Sequence, residues 1–152
     1  MSRRAVLIES LESAPRDLAR LLRPVSAEDA LRRPAPDAWS IAELVAHLAY
    51  TEERMLARLR RILAEDTPTV EYIEDPGGHD LSAPLTGLLE RFVARRAETV
   101  AFLQGLDQRD WGRPLIHPRI GSTRLREQVQ AIVDHDSEHL AEIAHIREAG
   151  GL

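Results

Sequence analysis

Four stretches of this chain repeat apolar residues every three or four positions, and no stretch reads as a strand. Each such stretch makes a helix with an apolar stripe that another helix must cover, so the pattern constrains the fold more than any other feature. Leu7, Ile8, Leu11, Leu18, Leu21 and Leu22 predict a helix over about residues 4–23. Pro15 lacks an N–H, so a kink or a restart is expected there. The second stripe runs from Ile41 through Leu44, Val45, Leu48, Met55, Leu56, Leu59 and Ile62 to about residue 65. Its start carries a capping box, Ser40 with Glu43, and the two staple positions Trp39 and Leu44. Leu85, Leu88, Leu89, Phe92, Val93, Val100 and Leu103 give a third helix over about 82–105. Leu125, Val129, Ile132, Val133, Leu140 and Ile143 give a fourth over about 122–148, ending at Gly150 and Gly151.

The stretches between them are rich in proline and glycine. Residues 24–38 read as a connection with one short turn of helix from Ser26, and 65–80 and 107–121 read as irregular loops. The expected fold is all-α, a four-helix bundle with irregular connections after helices 2 and 3, in a single domain over residues 1–152.

A net charge of −5, with arginines interspersed among acids, argues against nucleic acid as a partner. With no cysteine, the chain has no disulfide, no thiolate ligand and no cysteine nucleophile, so any metal must sit on imidazole and carboxylate. No apolar run approaches the ~20 residues of a membrane span, and the expectation is a soluble, cytoplasmic protein. A homodimer is expected if one face of the first or third helix stays apolar outside the core.

His135 and His139 stand four apart in the fourth helix, about 40° around and ~6 Å along the axis, so both imidazoles can reach one point. His47, at the edge of the second stripe, is the best third ligand. Three neutral imidazoles suit zinc, nickel or ferrous iron and leave positions open for a reactant. The competing reading is a set of hydrogen-bonded boundary histidines. Glu52, Arg96 and Asp136 fall near the centres of their stripes, where an unpaired charge is costly, so they must be partnered. Glu52 and Asp136 are the catalytic candidates: one would orient an imidazole or act as general base. The alternative is a structural ion pair with Arg96. Asp136 follows His135 as the glutamate does in H-E-x-x-H, but the second histidine stands one place too far along. His79 and His117 lie in loops that could cover the site, as further ligands, substrate contacts or solvated surface residues. Arg119 and Arg124 could hold an anionic group, and His145 points away from the stripe.

Taken together, Trp39-Ser40-Ile41-Ala42-Glu43-Leu44-Val45-Ala46-His47-Leu48 with Glu52, His117-Pro118-Arg119-Ile120-Gly121 with Thr123 and Leu125, and His135-Asp136-Ser137-Glu138-His139-Leu140-Ala141-Glu142-Ile143 resemble the DinB-like superfamily over essentially the whole chain. The resemblance implies a four-helix bundle with a divalent metal, commonly zinc or nickel, on His47, His135 and His139. It also implies the activities found there: transferases and isomerases that use low-molecular-weight thiols such as mycothiol, bacillithiol or glutathione, and proteins designated hydrolases. Homodimers are frequent in that family. Glu142 departs from it, standing where many relatives carry glutamine. The leading expectation is a metal-dependent enzyme acting on a small molecule by activating water or a thiol. The alternative is a non-catalytic bundle that binds a small ligand or partner.

Overall fold

Capping chemistry sets the helix ends. In the computed structural model, which describes residues 1–151, α1 (Arg3–Leu22) starts from Ser2, whose hydroxyl accepts the Ala5 N–H. A short α2 (Ala27–Leu31) hangs from Ser26 in the same way. The capping box at the start of α3 (Ile41–Ala64) is formed in full: Ser40 Oγ takes the Glu43 N–H, and Glu43 Oε1 takes the Ser40 N–H, each at 3.1 Å. α4 (Leu85–Gln104) stops at Gly105, and a single turn, α5 (Gln108–Trp111), is capped by Asp107. After a hairpin of β1 (Pro114–His117) and β2 (Gly121–Arg124), α6 (Leu125–Ala149) runs to Gly150.

The hairpin corrects the expectation that no stretch is a strand and that residues 107–121 are irregular. Pro114 pairs with Arg124 and His117 with Gly121, and Gly121 has φ +74°, which a side chain would resist, in closing the three-residue turn. Four-residue strands are too short for alternation to show. Tertiary partners make them: Val70 N–H donates to Ile116 O and Ile116 N–H to Pro68 O, both at 2.9 Å, stitching the segment after α3 to the outer edge of β1. Because 122–124 belong to β2, the last helix starts at Leu125 rather than 122.

The long helices form a four-helix bundle. α1 packs against α4 and α6, and so does α3, which leaves the consecutive helices α1 and α3 facing each other across the core. Leu88 and Phe92, early in α4, share one apolar cluster with Ile41 and Leu44, early in α3, and with Ile143, late in α6. Val100 and Leu103 share the other with Leu59, Ile62, Leu125 and Leu7. Hence α3 and α4 run parallel, opposite to α1 and α6. Joining two parallel neighbours forces residues 65–84 to travel back along the bundle, and they do so over α3. Val70 packs at one end and Leu81 at the other, with Tyr50 Oη donating to Glu74 O at 3.0 Å between them.

A polar layer separates the two clusters. Arg96, 2 % exposed, uses all five guanidinium N–H groups: two on Glu52, two on Asp136 and one on Leu11 O, at 2.8–2.9 Å. The Leu11 carbonyl is free because Pro15, four residues on, has no N–H to give it. Of the kink or restart expected at Pro15, the restart is absent: α1 runs through the proline, and Arg96 supplies the missing donor. One side chain thus ties α4 to the other three long helices.

Candidate metal centre

α3 and α6 are neighbours, and their stripe edges carry His47, His135 and His139 toward one another. His135 Nε2 lies 3.0 Å from His47 Nε2 and 3.0 Å from His139 Nε2, and one donor atom from each ring falls within 4.8 Å of the others. His47 Nδ1 donates to Asp75 Oδ2 at 2.8 Å, so its Nε2 presents a lone pair. His139 Nδ1 faces Glu142 Oε2 at 3.4 Å, which turns its Nε2 the same way. A proton on His135 Nε2 can serve only one of these neighbours, so at least one contact sets lone pair against lone pair. A cation removes that repulsion, and three imidazole nitrogens are the donors zinc or nickel takes. Donors bound at ~2.0–2.1 Å around one ion stand roughly 2.9–3.4 Å apart, which the two spacings from His135 Nε2 match. The residues fit a divalent metal.

The electrostatics favour the neutral form of His135 and of His47. Burial, then the neighbouring imidazoles and the Arg96 charge, pushes His135 down to about 3. Burial also lowers His47, against the pull of Asp75. Asp75 itself is almost covered. Burial would raise its pKa, but hydrogen bonds from His79 Nε2 (2.7 Å), the Gly77 N–H (2.8 Å) and His47 hold the carboxyl below its usual range.

Asp75 is the residue sequence reasoning missed. Its trace in the sequence is Asp75-Pro76-Gly77-Gly78, a turn signature beside a histidine, but nothing local says that this loop returns to α3. Packing brings it there. Gly77, at φ +77°, lies against the Trp39 ring, which a Cβ would meet at 3.5 Å, and Trp39 in turn packs on His47 with ring centroids 5.1 Å apart. His79 joins the site through Asp75, not by direct approach to the three Nε2 atoms.

Glu52 and Asp136 lie next to this centre, and both carboxylates are bound to Arg96 instead of an imidazole. Arg96 stays charged: burial works to lower its pKa, but the two carboxylates raise it above the ordinary value. Burial pushes Asp136 upward, with Arg96 opposing.

A cavity of about 430 Å³ opens beside His47 and His135, between α3, α6, the 65–84 segment and the hairpin. Leu48, Met55, Ile73 and Ile132 give it an apolar lining, and His117 and Arg119 lie at the hairpin side. Arg124 is used elsewhere, donating to Gly112 O at 2.9 Å, and His145 is exposed.

Comparison with known proteins agrees with this picture. The protein of Oceanobacillus iheyensis named "Putative metal-dependent hydrolase OB0782" is 22% identical over 142 residues, 91% of this chain and 83% of its own length. YuaE of Bacillus subtilis is 26% identical over 148 residues, 84% of this chain and 88% of its own. Among solved structures, YfiT from Bacillus subtilis, described as a probable metal-dependent hydrolase with an unusual four-helix bundle topology, superposes with a TM-score of 0.87 at 20% identity, covering 99% of this chain and 90% of that one. The four-helix bundle protein TT2238 gives 0.67 at 20% identity, with 91% and 95% covered. The pattern of the DinB superfamily, DinB_2, matches residues 10–143, and the chain belongs to that superfamily.

Proposed function

We propose that the chain is a metal-dependent enzyme acting on a small molecule, a hydrolase or a thiol transferase, with zinc or nickel on His47, His135 and His139. The observation that carries this reading is the set of three part-buried imidazoles turned nitrogen to nitrogen, two of which, His47 and His135, line an open cavity. The names of the Oceanobacillus protein and of YfiT support it. When bound, a divalent ion supplies Lewis acidity there, lowering the pKa of a water or thiol and polarising a carbonyl.

The chain's own residues set the rest. Asp75 fixes the tautomer and orientation of His47. Thr51, one turn beyond His47, lines the cavity, and its buried hydroxyl has no hydrogen-bond partner among the described residues. Glu52 and Asp136 act as positioning residues: through Arg96 they lock together the two helices that carry the histidines. A proton-accepting role for either works against its ion pair with Arg96, which favours the ionised carboxylate. Because the chain lacks cysteine, a thiol nucleophile must arrive as a co-substrate.

Protein purified without a histidine tag should contain stoichiometric transition metal, and the His135→Ala variant should not. Esters and amides without thiol, and electrophiles with mycothiol, bacillithiol or glutathione, then separate the two chemistries, with His135→Ala as the control. Absence of metal, together with melting that chelation leaves unchanged, would assign a ligand-binding bundle instead.

A further inference from the structure

The cavity extends well beyond the histidines. Its α6 wall runs from His135 back to Gln128, seven residues or ~10 Å at the helical rise. Past the apolar middle the lining changes character, and the charges there do not balance. The carboxylates on the wall are already engaged from outside: Glu127 by Arg3 at 3.2 Å, and Glu52 and Asp136 by Arg96.

The cations are not. Arg119 has no carboxylate partner among the described residues, and its guanidinium stands 5.7 Å from the Tyr72 ring centroid. Among the described residues Arg58 donates only to neutral acceptors, Gln128 Oε1 at 2.9 Å, the Glu71 carbonyl and, at 4.0 Å, Met55 Sδ. Burial lowers its pKa, and Glu71, whose carboxylate is exposed and bound to Arg61 at 3.3 Å, compensates it in part. Between the two arginines, His117 accepts the Arg119 backbone N–H at Nδ1 (3.1 Å), which puts the ring proton on Nε2. Burial and the two arginine charges keep that ring neutral. Its Nε2–H has no protein acceptor among the described residues.

We propose that Arg58, Arg119 and the His117 Nε2–H form an oxyanion-binding subsite. It takes a carboxylate or phosphate on a substrate whose apolar stem lies along the cavity and whose reacting end reaches the three histidines. The stem length and the reacting end rest on the metal-dependent reading above; the subsite itself does not. Two guanidinium groups and one neutral N–H donor give charge and direction together, which is how arginine-rich sites select planar or tetrahedral oxyanions.

The test uses the full chain and three probes, hexanoate, hexyl phosphate and hexanamide, titrated calorimetrically into chelator-treated protein and into His135→Ala. Without a metal, the two anions should bind, more weakly as salt rises, and the amide at least about tenfold more weakly than either. Whichever anion binds more tightly identifies the natural group as carboxylate or phosphate. Arg119→Gln and His117→Phe, both on the β1–β2 hairpin, should each weaken the preferred anion by about tenfold while leaving the amide unchanged. If hexanoate and hexyl phosphate bind only in the presence of metal, or if both hairpin variants bind them as the parent does, the subsite is refuted. Loss of turnover in His135→Ala with anion binding intact would leave the subsite standing apart from the metal reading.

Discussion

At the scale of single residues, function here depends on which nitrogen faces where. Asp75 pins one imidazole, so its removal should weaken metal binding without unfolding the bundle. Asp75→Asn should lower metal affinity by about 10–100-fold in competition with a chelator, with an unchanged circular dichroism spectrum. His135 makes a second prediction, for the metal-free chain. Folding takes its pKa from the ordinary 6.5 to about 3. Between those values the unfolded chain binds a proton that the folded chain refuses, so stability is lost as pH falls from about 6.5 toward 3 and is unaffected by this group above that window. Chemical denaturation across the range should show this slope, and His135→Phe should remove part of it.

At the scale of elements, the buried arginine and the internal proline are one device. A proline inside a helix costs ~3 kcal/mol largely because it strands a carbonyl and crowds it. Here the stranded Leu11 carbonyl accepts from Arg96, so Pro15→Ala should stabilise by less than about 1 kcal/mol in urea titration, well short of that figure. Arg96→Met leaves two adjacent buried carboxylates unpaired and should cost about 3–5 kcal/mol. Adding Glu52→Gln and Asp136→Asn to it should recover part of the loss, because the uncompensated charges go with the carboxylates. If Arg96→Met proves harmless, the polar layer is not what joins the helices.

At the scale of the molecule, the parallel run of α3 and α4 decides where a site can be. It obliges residues 65–84 to retrace α3, and that path lays Asp75 on His47 and closes one side of the cavity. Among the described residues, no helix is long and apolar enough to cross a membrane. A ligand shared by α3 and α6 should stabilise the whole fold. Added zinc or nickel should raise the melting temperature of the chelated protein in a concentration-dependent way, and His47→Ala should abolish the rise.

The helices, their stripes and the capping box at Ser40 were legible in the chain because they depend on contacts three or four residues apart, which periodicity records directly. So were the three histidines, which share helix edges, and the need of Glu52, Arg96 and Asp136 for partners, which follows from charges on apolar stripes. The rest was decided by tertiary structure. Arg96 could have paired with one acid or the other; only four helices meeting at one level let it take both, with Leu11 O as well. The β1–β2 hairpin depends on its register with Val70, and Asp75 reaches His47 only because a loop must return along the bundle. These are contacts between residues distant in the chain, and local pattern carries no record of which distant residues meet.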